Sequence, residues 1–218
     1  MEIVATGVEV NGAHGPLLGP TSLRVRSGQA LLVTGDPNSG RTALALVLSG
    51  RLRPSKGTVR LDGALDPGAL RKQVAVVDAP EITEPDGSIA VRDVIAEGLT
   101  LAGKWSTRRK VRSWLSTREY DADERFENLP AFERTKLLIE LACERRDTKA
   151  LVLDCPDRHG SEPLGWYELA VRQAERGMAV IALCSPHSAD KLGVTPARVG
   201  ADNPELSTSD FTEGPSDD

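Results

Sequence analysis

The sequence contains no long hydrophobic run, and none of its apolar stretches approaches the roughly 20 residues that a membrane-spanning helix needs. Its first ten residues, MEIVATGVEV, also lack the basic start of a signal peptide. We therefore expect a soluble chain that stays in the cytoplasm.

Cysteine is scarce as well. The three cysteines, Cys143, Cys155 and Cys184, all fall in apolar stretches. Their spacing does not match that of a zinc site or another metal site. We expect all three to be buried, reduced thiols.

Most of the sequence lacks an excess of charge of either sign. The formal net charge is −5, but residues 201–218 contain six acidic residues and no basic one, so residues 1–200 have 27 basic and 26 acidic side chains. Such a neutral body offers too little positive charge to predict nucleic-acid binding. The low hydrophobicity of residues 201–218 predicts an acidic disordered tail that begins at Ala201.

The glycines are more informative, because two of them define a phosphate-binding pattern. Residues 35–42 read GDPNSGRT, one residue away from the pattern G-x4-G-K-[ST]. A short apolar run precedes the loop, and a run rich in helix formers follows it. In such a turn the loop N–H groups and the positive end of the helix dipole bind a phosphate. From this loop alone, the alternative is an ordinary glycine-containing strand-to-helix turn.

Arg41 occupies the position at which the pattern has a lysine. Arginine keeps the positive charge, but its planar group is larger and has a different reach. Binding can therefore survive while the geometry of the transition state suffers. The predicted nucleotide-binding residues are Gly35, Asp36, Pro37, Asn38, Ser39, Gly40, Arg41 and Thr42.

Strand-like runs are distributed unevenly along the chain, at residues 2–10, 22–25, 30–34, 58–61, 73–77, 150–153 and 179–183. The early runs are separated by glycine and proline turns, whereas the later ones are separated by helical patterns. This predicts an α/β fold in which an N-terminal antiparallel patch joins a parallel, helix-covered sheet. Residues 78–146 are helical in pattern without a good strand, which predicts an inserted helical subdomain.

Several segments resemble the nucleotide-binding subunit of ATP-binding cassette (ABC) transporters, in the same order along the chain. They are SLRVRSGQA at 22–30, the phosphate loop, GRLRPSKGTVRLDG at 50–63, SIAVRDV at 88–94 and ALVLD at 150–154. The resemblance covers nearly all of residues 1–200. It implies a P-loop NTPase domain of ABC type over this range, with a mixed sheet and with ATP and Mg²⁺ as cofactors.

The second nucleotide motif of the family, Walker B, is represented by residues 150–154, and Asp154 lies 113 residues after Arg41. The resemblance implies that Thr42 and Asp154 hold the Mg²⁺ ion together. The family has a glutamate after this aspartate, whereas this sequence has Cys155. A thiol, with a reference pKa of about 8.5, is a poor base for water near neutral pH.

Other working positions of the family are changed too. Ser185 stands in register with the γ-phosphate-sensing histidine, and His187 follows two residues later. Asp78 stands where a magnesium-linking glutamine should follow the strand. His14 is the only ring available near the position of the family's adenine-stacking aromatic residue.

The signature segment of the family aligns with residues 129–134, LPAFER. In the family a serine and two glycines of this segment meet the γ-phosphate held by the other subunit of a head-to-tail dimer. Here Pro130 has neither a hydroxyl nor an N–H, and Phe132 blocks close approach of the backbone. A dimer partner would therefore receive a poor signature from this chain, and both composite sites would be impaired.

We therefore predict an accessory or regulatory ABC-type ATP-binding subunit with very slow or no hydrolysis and without a catalytic residue of its own. The alternatives are an active transporter ATPase subunit and a scaffold that binds no nucleotide. The partners that the resemblance implies are a membrane protein, a second ABC subunit or a second copy of this chain. The expected location is the cytoplasm, with peripheral association at the inner face of the membrane.

The basic segment KWSTRRKVRSWL at 104–115 leaves two interpretations open. It could form a docking surface for the membrane partner, because the family's helical subdomain lies toward that partner. It could equally be a solvated helix face with Val111, Trp114 and Leu115 turned inward.

Overall fold

The computed structural model describes residues 1–203, which form eight strands, seven α-helices and a short 3-10 helix. The strands are β1 (Glu2–Gly12), β2 (Gly15–Arg26), β3 (Ala30–Thr34), β4 (Lys56–Leu61), β5 (Val74–Val77), β6 (Ala150–Asp154), β7 (Ala179–Cys184) and β8 (Ala197–Arg198). The α-helices are α1 (Arg41–Leu48), α2 (Pro67–Gln73), α3 (Val91–Leu101), α4 (Arg108–Leu115), α5 (Ala131–Cys143), α6 (Pro163–Glu175) and α7 (Pro186–Leu192). The 3-10 helix is Phe126–Asn128.

The strands form two sheets. An antiparallel sheet has the order β2-β1-β4, and a parallel sheet has the order β5-β6-β7-β3-β8. Every residue of β3, β6 and β7 is buried, as expected for parallel strands covered on both faces. The predicted α/β fold with an N-terminal antiparallel patch is confirmed. In the described region the antiparallel patch and the parallel part of the predicted mixed sheet share no strand pair.

Strand β2 is longer than the sequence predicts. The prediction began at residue 22, because Gly15, Pro16, Gly19 and Pro20 read as turn residues. The strand tolerates these prolines because it lies at the edge of its sheet, where a missing N–H costs no ladder bond. The two-residue strand β8 was not predicted either, since two residues carry no detectable alternation.

The segment 78–146 contains α3, α4, the 3-10 helix and α5, and no named strand, as its pattern predicts. It does not have a separate core. Leu137 of α5 and Phe126 belong to the same buried cluster as Leu151 and Val180 of the parallel sheet. On α4, Val111 and Trp114 are buried. This orientation agrees with the interpretation of a helix whose basic face is solvated.

The end of the described region differs from the prediction of a tail starting at Ala201. Ser22 donates its N–H to the carbonyl of Ala201 at 3.0 Å, and Asn203 donates its N–H to the carbonyl of Ser22 at 3.1 Å. These residues therefore continue along the edge strand β2. The rest of the predicted acidic tail, residues 204–218, lies outside the described residues.

Two properties of the whole described region follow from the same elements. No helix in residues 1–203 combines the length and the apolar character that a membrane crossing requires. All three cysteines are free thiols, of which Cys155 and Cys184 are buried and Cys143 is partly buried.

Candidate functional site

The loop between β3 and α1 depends on both of its glycines. Gly40 has a φ of 96°, and a Cβ placed on it would lie 2.1 Å from the carbonyl oxygen of Leu17. A Cβ on Gly35 would lie 2.3 Å from the Oγ of Ser39. Only glycine fits at residue 40, where the neighbour is backbone, whereas a side chain at residue 35 would have to displace the Ser39 hydroxyl.

This loop borders a cavity of about 760 Å³ at the carboxyl ends of the parallel strands. The same edge of an α/β sheet is where ligands characteristically bind. The cavity is lined by Pro16, Leu17, Pro37, Asn38, Gly40, Arg41, Thr42, Ala43, Pro80, Cys155, Asp157, Arg158 and Ser185. Five of the eight predicted loop residues thus face it, while Gly35, Asp36 and Ser39 do not line it.

Asp154 lies at the end of β6, immediately before the cavity-lining Cys155, and is 1% exposed. Its Oδ1 accepts the Cys155 thiol at 3.2 Å, while its buried Oδ2 has no hydrogen-bond partner among the described residues. A buried carboxylate oxygen without a partner is costly unless a cation or a water satisfies it. Asp154, together with the Thr42 hydroxyl on α1, therefore fits the hard oxygen donors that Mg²⁺ prefers.

A second carboxylate in the cavity, Asp157, is held by serines at the start of α7. Its Oδ2 accepts the Ser185 N–H at 2.9 Å and the hydroxyls of Ser185 and Ser188 at 2.7 Å each. Burial alone would raise the pKa of Asp157, but the hydrogen bonds from Ser188 and Ser185 outweigh it and hold the pKa below its ordinary value. Asp157 is therefore ionised at neutral pH, and its Oδ2 is already occupied by three donors.

A charged cluster lies beside the cavity and joins three parts of the chain. Asp78 follows β5, Glu84 lies in the next turn, Arg134 lies on α5, and Arg158 and His159 follow β6. Arg158 Nη2 lies 3.3 Å from Glu84 Oε1 and 3.5 Å from Asp78 Oδ2. His159 Nε2 lies 3.2 Å from Arg158 Nη2 and 3.4 Å from Arg134 Nη2, and since arginine only donates, Nε2 is the acceptor in these two contacts. Burial and the two arginines lower the pKa of His159 accordingly.

Asp78 carries the unfavourable charge of this cluster. It is 4% exposed, and neither of its carboxylate oxygens has a hydrogen bond within the described residues. Burial raises the pKa of Asp78 to about 6, although Arg158 partly opposes that rise. Because the folded state holds this proton more tightly than the unfolded chain, stability falls as the pH rises from about 4 to about 6.

We therefore expect Asp78→Asn to be more stable than the wild-type protein at pH 7.5, by about 1 to 2 kcal/mol after allowance for the lost contact with Arg158. The difference should shrink toward pH 4, where the wild-type carboxyl is protonated. Urea unfolding at several pH values measures it.

The matched control is Asp86→Asn in the same loop. Asp86 accepts hydrogen bonds from the N–H and the hydroxyl of Ser88, which lower its pKa. Its amide variant should lose stability at pH 7.5 instead of gaining it. An Asp78→Asn variant that is destabilised at pH 7.5 as strongly as at pH 4 would contradict the assignment of an unfavourable buried charge.

Comparison with known proteins gives a consistent picture. The chain is 44% identical over 48 residues, 22% of each chain, to the cytochrome c biogenesis ATP-binding export protein CcmA of Xanthomonas axonopodis pv. citri. It is 30% identical over 147 residues to an uncharacterized ABC transporter ATP-binding protein of Methanocaldococcus jannaschii, covering 62% of this chain and 50% of that protein. No protein-family model matches the chain. The chain thus spans half or less of the length of these curated relatives.

Solved structures agree with the sequence comparison. The fold superposes on a nucleotide-free ATP-binding cassette from an ABC transporter with a TM-score of 0.68 and 16% identity, covering 92% of this chain and 90% of that one. The chain is a homologue of ABC transporter ATP-binding proteins.

Cys155 follows Asp154, the predicted Walker B aspartate. Cys155 adopts a φ of 56° and is 8% exposed. Burial, followed by the neighbouring Asp154, raises the pKa of its thiol far above the ordinary value. The thiol therefore keeps its proton at neutral pH and cannot accept one from an attacking water.

The predicted signature segment, residues 129–134, leads into α5. Pro130 is the N-cap residue of α5 and supplies no side-chain cap, and the Phe132 ring lies beside Gly165 of α6. Phe132 remains 37% exposed. The segment therefore begins the helix with a residue that has no N–H and carries a partly exposed aromatic ring.

His14 and His187 both lie outside the cavity lining. His14 is exposed in the turn between β1 and β2, and His187 is exposed on α7. Neither lines the cavity, where Pro16 and Leu17 border the loop instead. Arg158, by contrast, lines the cavity although no motif drew attention to it. A basic residue four positions after the Walker B aspartate was its only sequence signal.

Proposed function

We propose that this protein is an ABC-type ATP-binding subunit that binds ATP with Mg²⁺ and hydrolyses it very slowly or not at all. The observation that carries this proposal is the composition of one cavity. It combines a phosphate loop that differs from the pattern only at Arg41 and an orphaned Asp154 oxygen with a protonated Cys155 thiol where the family has a glutamate.

The binding half of the proposal rests on the loop and α1. The first N–H groups of a helix have no acceptor within it, so they are available to a phosphate. Arg41 and Thr42 begin α1 and line the cavity, which places a guanidinium and a hydroxyl at the helix N-terminus. Arginine suits phosphate through paired N–H donors, although it does not reproduce the point charge of a lysine.

The slow-hydrolysis half rests on what replaces the expected catalytic groups. Cys155 holds its proton. Ser185 stands where the family has a histidine, and its hydroxyl donates to Asp157. General-base and positioning contributions are each worth about 10² to 10⁴ in rate, so the loss of several leaves little turnover.

We further propose that the protein acts as an accessory or regulatory subunit for a membrane protein or a second ABC subunit, including a second copy of itself. The names of its relatives, an export ATP-binding protein and a transporter ATP-binding protein, support a transporter-linked role at the cytoplasmic face of a membrane. The solvated basic face of α4 and the exposed Trp105, 84% exposed, are available to such a partner.

We expect Mg²⁺-dependent binding of ATP and ADP in the micromolar to millimolar range, about −8 to −4 kcal/mol. Arg41→Ala should weaken binding about 10- to 100-fold, because a charged hydrogen-bond donor to phosphate is lost. Titration calorimetry measures both. Arg172→Ala, which removes an exposed arginine on α6 paired with Glu168, is the control and should bind as the wild type does. No binding by the wild type at millimolar nucleotide would favour the scaffold alternative.

A further inference from the structure

Arg158 lines one cavity, and its two carboxylate partners line another. Arg158 lines the cavity beside the phosphate loop together with Arg41 and Thr42. Its carboxylate partners, Asp78 and Glu84, line a second cavity of about 560 Å³ between β5, α3 and α5. One guanidinium therefore lies between the phosphate loop and a groove on the helical side of the molecule.

The present contacts of Arg158 leave part of its hydrogen-bonding capacity unused. Nη2 donates to the Asp78 carbonyl at 3.1 Å, and Nε lies 3.3 Å from His159 Nε2. Nη1 makes no hydrogen bond to any residue in the described part of the chain. Its ion-pair distances to Asp78 and Glu84, 3.5 and 3.3 Å, are longer than those of a good charged hydrogen bond.

Phosphate is a competitive partner for such a guanidinium. The forked N–H groups of arginine match phosphate oxygens, and the interaction is stronger than a loose ion pair with a carboxylate. Glu84 would not be left without a cation, because Arg134 Nη2 also lies 3.5 Å from its Oε1. The exchange of partners is therefore less costly than the loss of an isolated buried pair.

We propose that Arg158 binds the terminal phosphate of the nucleotide and, in doing so, releases the carboxylates of Asp78 and Glu84. This inference rests on the proposed nucleotide binding and adds a second phosphate cation opposite Arg41. It also links the two cavities, because the acidic groups that line the groove lose a cation when the nucleotide binds. If a ligand of the groove contacts these carboxylates, nucleotide binding changes the affinity of that ligand, and the ligand changes the nucleotide affinity by the same factor.

The test compares ATP, ADP and AMP binding, with Mg²⁺ present, in matched variants. Arg158→Gln should weaken ATP binding about 10- to 100-fold and AMP binding far less, with partial recovery in Arg158→Lys. Glu84→Gln should act in the opposite direction and strengthen ATP binding about two- to fivefold, since one competing carboxylate is gone. That gain should vanish in the double variant Arg158→Gln, Glu84→Gln. Arg172→Gln on the surface of α6 is the control.

A second measurement, hydrogen exchange, follows the turn that carries Glu84. The carbonyl of Ala79 accepts the N–H groups of Ile82, Thr83 and Glu84, which close the turn after β5. Hydrogen exchange at these amides should accelerate when ATP binds the wild type and stay unchanged in Arg158→Gln.

The outcomes separate the two proposals. ATP affinity that is sensitive to Arg41 but equal in the wild type and Arg158→Gln would overturn the role of Arg158 and leave the proposed function intact. If Glu84→Gln strengthens ATP binding in the Arg158→Gln background as well, the role of Arg158 is also overturned. A wild-type protein that binds no nucleotide would overturn both.

Discussion

The Gly40→Ala variant should lose at least about a hundredfold in ATP affinity, although only one methyl group is added. The new Cβ would lie 2.1 Å from the carbonyl oxygen of Leu17 and 3.0 Å from the Cα of Leu18, both of them backbone atoms that cannot rotate away. Residue 40 is the N-cap of α1, so the helix start must shift and carry Arg41 and Thr42 with it. A displacement of about 1 Å is enough to cost a site this much.

Stability should fall as well, by more than the roughly 1 to 2 kcal/mol that a left-handed backbone costs an ordinary residue. The control for strain without a clash is Gly177→Ala. Gly177 has a similar φ of 91°, but its Cβ would meet no atom within 4 Å. Gly177→Ala should lower the free energy of unfolding, measured in urea, by about 1 to 2 kcal/mol and leave ATP binding unchanged. Wild-type ATP affinity in Gly40→Ala would mean that this loop does not bind the phosphates.

The loop could be predicted from the sequence because all of its residues are consecutive in the chain. Gly35 and Gly40 stand at a fixed spacing, and the structure explains each by a close backbone approach. The order of strands and helices was predictable for a similar reason, since each element has its own hydrophobic period. Strand β2 was only half predicted, because its prolines are tolerated by an edge position that local sequence does not reveal.

The partners around the cavity could not be predicted in this way. Asp157 binds a serine 28 positions away, and Arg158 contacts Asp78 across 80 positions. These contacts exist because β5, β6 and β7 are neighbours in the parallel sheet, so that their carboxyl ends meet. The resemblance to ABC proteins predicted that Thr42, Asp154 and Ser185 belong to one site, and the function of these residues stays a prediction. It did not indicate that Ser185 holds Asp157 instead of a phosphate.

The position of Arg41 raises the question of whether the arginine alone limits hydrolysis. If it did, Arg41→Lys would restore turnover. We expect no restoration, because Cys155 keeps its proton, Ser185 is engaged by Asp157 and Pro130 offers no N–H to a dimer partner. Repairing one member of a cooperating set recovers little activity when the others are missing.

Installing the missing groups would also strain the fold. A glutamate at residue 155 would occupy a buried position with a φ of 56°, next to the buried Asp154. A histidine at residue 185 would remove the N-cap hydroxyl of α7 and one hydrogen bond to Asp157. Each of these two substitutions would therefore disturb a contact or a backbone conformation of the present fold.

The most direct test of this account measures ATP binding and phosphate release on the same purified protein with Mg²⁺. We expect saturable binding together with a turnover below about one per minute, against roughly 1 to 1000 per second for typical enzymes. Wild type and Arg41→Lys should release phosphate no faster than the double variant Arg41→Ala, Asp154→Ala. Release by the wild type well above that control would contradict the account and identify the protein as a working ATPase with another base in its cavity.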